Sequence, residues 1–460
     1  MKGLRGAWIV LAALVVCVAG AWYWWRQASA FSLAHTSDRN ILLVTIDTLR
    51  GDALGSYGGK AATPNLDALA ARGARFTFAH SHAVLTLPSH ASILTGRYPY
   101  EHGIRDNPGF RLRQSDFTLA RGLKSAGFAT GAFVSAFTLD QRYGLQSGFD
   151  TYDDRISEVG KTLDVAVPER RADETVTAAL DWIGRQPARW FGWVHVFDPH
   201  APYAPPGDWL TRYASDAYAG EVAWTDFALG PLFARLDRES RPTLVIVTAD
   251  HGESLGEHGE MTHGVFAYES TLHVPLIVAE ITPGRRAARG VRIDSPARHV
   301  DLVPTVLDVV NGLSLAPSDL PGASLVGVVN RGGGDDRASY FEAMMPTLAR
   351  GWAPLRGVLV SREKFIDLPI QELYDLGSDP GELRNLAPLR ADRAPVLTNV
   401  LRGFNVAPPG RPAAESAAAR DRLRALGYTS GSPAPARDRY TEQDDPKRLI
   451  DLDGLLHRAS

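Results

Sequence analysis

Four short runs of the chain are almost continuously apolar, and each closes on an acid: residues 40–47 (NILLVTID), 191–198 (FGWVHVFD), 243–250 (TLVIVTAD) and 273–280 (HVPLIVAE). An unbroken run of this length reads as a strand buried on both faces. Between the runs lie stretches with helical period, such as residues 63–76. The alternation predicts an α/β fold, a large mostly parallel sheet sandwiched by helices. In open sheets of this kind ligands gather at the carboxyl ends of the strands, where Asp47, Asp198 and Asp250 fall. Three acids at three strand ends predict one metal-bearing site.

From about residue 350 the pattern shortens to alternating pieces, 355–366 and 372–376, which predict a small antiparallel sheet. The expected division is an N-terminal segment 1–30, a catalytic unit 38–349, a small C-terminal subdomain 350–405 of the same unit, and a linker with a terminal helix over 406–460. Residues 406–437 are rich in Pro, Ala, Gly and Ser around one helical piece, 413–426. Residues 444–460 form an amphipathic helix with no partner in the sequence, expected to be mobile or taken up by another protein.

Residues 6–25 are 20 uncharged, mostly apolar positions, about the length that crosses a hydrocarbon layer. Lys2 and Arg5 precede them, and Trp22, Tyr23, Trp24 and Trp25 stand where an aromatic belt meets the outer interface. The expectation is a membrane anchor with the body outside the cytoplasm, periplasmic or extracellular. A cleaved signal peptide is the alternative, with Ala28-Ser29-Ala30 before the cut.

Composition narrows the chemistry. With 49 basic against 52 acidic residues, the net charge of -3 offers no basic face for a nucleic acid. The one cysteine, Cys17, lies inside the N-terminal apolar run, so internal disulfides, cysteine zinc sites and thiol catalysis are excluded. Thr86-Leu87-Pro88-Ser89-His90 precedes a helix-forming run, with Pro88 suited to a first turn. Thr86 then stands at a helix N-terminus, whose free N–H groups and positive dipole end favour an oxyanion. A threonine hydroxyl becomes a competent nucleophile beside a divalent cation that lowers its pKa. Taken alone, the same residue reads as a simple N-cap. Asp250-His251 directly after a strand is a plausible pair of metal ligands, with Asp47 adding a hard oxygen.

Residues 40–52 (NILLVTIDTLRGD), 63–69 (TPNLDAL) and 86–99 (TLPSHASILTGRYP) resemble the N-terminal motifs of the sulfatase family of the alkaline phosphatase superfamily, in order and spacing. The likeness continues through 197–203 (FDPHAPY), 249–256 (ADHGESLG), 268–278, 301–305 and 372–386. The resemblance implies a sulfatase-like fold and a hydrolase acting on ester bonds through a covalent intermediate. It implies Asp47, Asp250 and His251 as metal ligands, with Thr86 at the nucleophile position and against the metal. His200 joins the anion-binding group, and His263 stands where the family commonly places a lysine and is a candidate leaving-group acid. His90, His195 and Asn107 complete the candidates for substrate contact. One divalent ion, Mn, Zn, Ca or Mg, is expected; a second could be held by Asp198, His195, His200 and His263.

The chain also departs from that family. Its nucleophile is a Cys or Ser, oxidised to formylglycine within a Cys/Ser-x-Pro-x-Arg motif. Thr86 would give a ketone, the motif's arginine is His90, and no formylglycine is expected. The family's Gly-Lys-Trp-His motif is matched only by Phe133-Val134-Ser135-Ala136-Phe137. An unmodified threonine is similar to the phosphodiesterases and phosphotransferases of the same superfamily, which points to phosphoester chemistry on an anionic substrate. A sulfatase proper is the alternative, and a degenerate binding module is the second.

Overall fold

The computed structural model describes residues 29–156, 170–334, 336–410, 412–426 and 439–459, together with Leu14, Cys17, Tyr428 and Arg437. The expected anchor over residues 6–25 therefore lies, but for Leu14 and Cys17, outside the described residues. Among the described residues no helix is long and apolar enough to cross a membrane.

Nine strands make the large sheet: β1 (Asn40–Ile46), β2 (Ala74–His80), β3 (Ala129–Phe133), β4 (Thr151–Asp153), β5 (Trp190–Val196), β6 (Thr243–Ala249), β7 (His273–Ile281), β8 (Val291–Ile293) and β9 (Ala297–Arg298). They run in the order β4-β3-β5-β1-β6-β7-β2-β8, with β9 also on β2. The central strand β1 is parallel to both β5 and β6. Every residue of β1, β5 and β6 is buried, as their unbroken apolar runs require. β7 is the exception to the expected parallel order: it pairs antiparallel with β6 and β2. Its closing acid, Glu280, is therefore carried to the opposite edge, where it pairs with buried Arg39 at 2.9 Å.

The helix expected over 63–76 is shorter, Pro64–Ala70, and Phe76 already lies in β2. Gly73 explains the break, because a Cβ there would stand 2.5 Å from the Val278 carbonyl of β7. Chain this close to a neighbouring strand must be extended. Helices on the sheet's faces include Ala172–Ile183 and Ala217–Leu236.

The small antiparallel sheet has four strands, β10 (Ser339–Ala343), β11 (Leu355–Val360), β12 (Glu363–Asp367) and β13 (Glu372–Asp375), in sequential order. The helix Arg393–Gly403 packs on it through Ala394, Leu397 and Leu401. The C-terminal helix, Pro446–Ala459, has a partner after all. Asp445 accepts from Ile370 N at 2.9 Å, Lys447 reaches the Ile370 carbonyl at 2.9 Å and Glu372 at 3.1 Å, and Asp453 pairs with Arg350 in a buried contact. Leu449 and Ile450 lie against the core beside this sheet. A lone amphipathic helix needs an apolar neighbour, and the small sheet supplies it without further repeats. Ala407, Ala413, Glu415, Ala419 and Leu423 of the expected linker likewise bond to or pack against the body.

Candidate active site

Strand register places the first acids. Ile46 of β1 sits opposite Ala249 of β6, so the next residues, Asp47 and Asp250, leave the sheet side by side. His251 follows at once. Asp47, Asp250 and His251 offer ligand atoms that all lie within 4.8 Å of one another, and all three are fully buried. Asp250 Oδ1 is held by the backbone N–H groups of Thr48 at 3.2 Å and His251 at 2.8 Å. Its Oδ2 and both oxygens of Asp47 have no hydrogen-bond partner.

The tautomers follow from the partners. His251 Nδ1 lies 2.8 Å from the Gly252 carbonyl and must donate to it, which leaves Nε2 as a lone pair. That lone pair faces Asp250 Oδ2 at 3.6 Å and Asp47 Oδ1 at 3.9 Å. Two carboxylates and an unprotonated nitrogen converge with no donor between them, the arrangement a divalent cation fits. Burial pushes the Asp47 and Asp250 carboxyls up, and their mutual proximity adds to the rise at Asp250. At His251 burial lowers the pKa, but the pull of Asp250 and Asp47 outweighs it and the net direction is upward.

His195 stands behind this cradle. Its Nδ1 accepts from Ser135 N at 3.4 Å, so Nε2 carries the proton and faces Asp47 Oδ2 at 3.4 Å. A histidine so placed orients a ligand carboxylate. His90 is not free for substrate: Nδ1 donates to the Thr86 carbonyl at 2.8 Å and Nε2 accepts from Thr45 Oγ1 at 3.0 Å, which in turn accepts from Trp193 Nε1 at 3.0 Å. Both histidines act from below, and neither presents a free nitrogen outward. His90, His195 and Asp250 also lie close enough to form a second ligand group, but the hydrogen bonds just given already occupy the nitrogens of His90. Asp198, expected at the metal, instead caps the helix Ala172–Ile183, accepting from Ala172 N at 3.0 Å. Burial raises its pKa to about 6, and an acid spent on a helix N-terminus is not a ligand.

Thr86 is the first residue of the helix Thr86–Thr95 and is buried. The next N–H, Leu87 N, is taken by Asn107 Oδ1 at 2.9 Å, while Asn107 Nδ2 is buried without a partner in the chain. Asn107 thus retains a donor for an anionic oxygen. His200 Nδ1 donates to the Ala201 carbonyl at 2.7 Å, leaving Nε2 unpartnered, and its ring stacks on Phe197 with centroids 4.4 Å apart. His263 lies between the two, with ring centroids 4.5 Å from His251 and 5.1 Å from His200.

Glu253 carries a role that its place in the segment 249–256 did not reveal. It accepts from Tyr203 at 2.8 Å and meets His263 Nδ1 at 2.9 Å, and burial raises its pKa to about 8. Glu253 therefore fixes the orientation of the His263 ring and which of its nitrogens faces the site. The available signal was its position, three residues after Asp250 in the same segment. Tyr428 was also missed, and it lies against His263 Nε2 at 3.2 Å.

A buried hydroxyl at a helix N-terminus beside a carboxylate–imidazole cradle defines an ester-hydrolysing enzyme on an alkaline-phosphatase-like sheet. The sulfatase family profile matches residues 39–313, and the chain belongs to that family. It is 27% identical to the uncharacterized sulfatase YidJ of Escherichia coli K12, over 75% of this chain and 82% of that protein. It is likewise 27% identical to the choline-sulfatase of Rhizobium meliloti, over 80% and 86% of the two chains. The solved phosphonate monoester hydrolase of Agrobacterium radiobacter has the same fold, with a TM-score of 0.63 at 23% identity over 80% of this chain and 95% of that one.

Proposed function

We propose that this protein is a metal-dependent hydrolase or transferase that acts on phosphate mono- or diesters, in preference to sulfate esters, through a covalent intermediate on Thr86. The observation that carries the reading is the hydroxyl of Thr86 at a helix N-terminus, on a residue tied through its carbonyl to His90 at 2.8 Å, which in turn lies 3.7 Å from the unpaired Oδ2 of Asp250. Asp47, Asp250 and His251 would hold the cation. It would supply Lewis acidity for the nucleophile and for charge developing at phosphorus. The neighbouring phosphonate monoester hydrolase fold and the sulfatase relatives support ester chemistry of this general class.

The chain's own residues account for the remaining steps. Asn107 Nδ2 and His200 bind the anionic oxygens. Thr86 Oγ1 gives up its proton to solvent and bonds to phosphorus as the bond to the leaving oxygen breaks, and His263, steadied by Glu253, delivers the proton that oxygen needs. His263 then takes a proton from water or an acceptor alcohol, which attacks phosphorus as the bond to Thr86 Oγ1 breaks, and that oxygen regains its proton from solvent. A formylglycine hydrate can expel sulfate by elimination from its second hydroxyl. Threonine has none, so its ester must be displaced at the central atom. Phosphorus permits that displacement through a loose in-line transition state, whereas a sulfothreonine accumulates.

The reading also places the catalytic body outside the cytoplasm, held by residues 6–25. Aryl phosphate mono- and diesters, phosphonates and sulfates, assayed with Mn, Zn, Ca or Mg, test the chemistry. Turnover of a phosphoester, abolished in Thr86→Ala and partly kept in Thr86→Ser, is the expected result. Preference for sulfate with Ca, or turnover by Thr86→Ala at the wild-type rate, overturns it.

A further inference from the structure

The segment ahead of Tyr428 has the composition of a linker, yet it is tied down on residues that flank Asn107 and Thr86 in sequence. The Ala407 carbonyl accepts from Arg105 at 2.9 Å, Ala413 N donates to Gly109 O at 2.8 Å, and Glu415 accepts from Gly109 N at 2.9 Å. The short helix Ala417–Ala425, capped by Ser416, then lays Ala419 and Leu423 on Leu85 and Phe137, directly before the nucleophile's helix. Tyr428 N closes the turn on the Leu423 carbonyl at 2.8 Å, and the side chain joins the same buried cluster.

The phenol hydroxyl ends on a group assigned to the chemistry. It lies 3.2 Å from His263 Nε2, the nitrogen that would meet the leaving oxygen, and the ring packs in one cluster with Leu85, the residue before Thr86. A leaving oxygen within hydrogen-bond reach of His263 needs the same place. Thr86 is 1% exposed.

We propose that residues 412–426 with Tyr428 form an intrasteric strap whose phenol occupies the place of the substrate's leaving oxygen beside His263, so that substrate binds only after the strap withdraws. The inference rests on Thr86 being the nucleophile. The strap's attachment suits it to opening: one nine-residue helix, a few apolar contacts and peripheral hydrogen bonds give local opening at a low cost compared with the sheet core. Because the closed state excludes substrate, apparent affinity falls by the fraction of molecules that are open.

Two variants of the full chain test this. Tyr428→Phe removes the hydrogen bond to His263 and Tyr428→Ala the ring as well. KM for the best ester of the panel should fall by about threefold and about tenfold respectively, with kcat not reduced. A second readout does not depend on turnover. Arg420 and Arg424 are exposed on the strap helix, and orthovanadate, a tetrahedral oxyanion, should accelerate tryptic cleavage there in the wild type but add nothing in Tyr428→Ala. A loss of kcat at unchanged KM would make Tyr428 part of the machinery and overturn the proposal. Protection of the strap by vanadate would also overturn it. Failure of the nucleophile assignment looks different, as turnover that survives in Thr86→Ala.

Discussion

Asp47→Asn should have opposite effects on stability with and without metal. Asp47 and Asp250 present carboxylate oxygens no more than 4.8 Å apart, so at an effective dielectric of ~20 two full charges repel by about 3.5 kcal/mol. In chelated protein no cation offsets that repulsion, and burial, with the second carboxylate beside it, disfavours the charge on Asp250. Asn at position 47 removes that repulsion, so the chelated variant should be more stable than the chelated wild type, by up to ~3 kcal/mol. Metal reverses the order. A cation at a hundredfold excess over its Kd stabilises the wild type by about 2.7 kcal/mol, and the variant, short of one anionic ligand, should gain much less. Thermal unfolding in EDTA and across a titration of Mn, Zn, Ca and Mg reads both arms. A chelated Asp47→Asn less stable than chelated wild type, or an equal response of the two proteins to metal, would refute the reasoning that these atoms form a cation cradle.

Two further predictions concern the frame. Asp106 is buried and its pKa is raised to about 7 by desolvation. The folded state therefore holds a proton that the unfolded state releases near pH 4, and stability declines as pH rises from about 4 to about 7. Asp106→Asn should remove that slope, with no gain at pH 4 and a gain of up to ~4 kcal/mol at pH 8, read by denaturant unfolding across pH; a slope equal to the wild type's refutes it. Arg105 and Glu342 form a buried bidentate pair, with Tyr340 also on Glu342. Glu342→Ala strands the guanidinium and should cost ~3–5 kcal/mol in the same assay; a loss under ~1 kcal/mol would refute it.

The large sheet was legible because its three central strands are buried on both faces and so carry no polar alternation to confuse with helix. The direction of β7 was not, since an apolar run reads the same whichever way it pairs. Acids at strand ends pointed to Asp47 and Asp250 correctly as neighbours, but the same rule misplaced Asp198. Nothing in FDPH distinguishes an acid that caps a helix from one that faces a cation. His90 and His195 were noticed as chemistry-bearing residues, yet their direction is set by partners distant in sequence, Thr45 and Ser135. Tyr428 was invisible for a plainer reason. A segment rich in Ala, Pro and Ser carries little hydrophobic period, so its packing against Leu85 and Phe137 depends on a few side chains that composition does not reveal.

The register of β1 against β6 has a consequence for how such an enzyme diversifies. Because Asp47 and Asp250 leave neighbouring strands one step beyond the paired Ile46 and Ala249, a single-residue insertion in either strand turns one carboxylate to the opposite face and dismantles the cradle at a stroke. Length variation is thus barred from these strands, whatever the substrate. New specificities have to be written in the coverings, above all the segment leading to Tyr428. A laboratory search for altered substrate range is best spent on residues 412–428, with the strands held fixed.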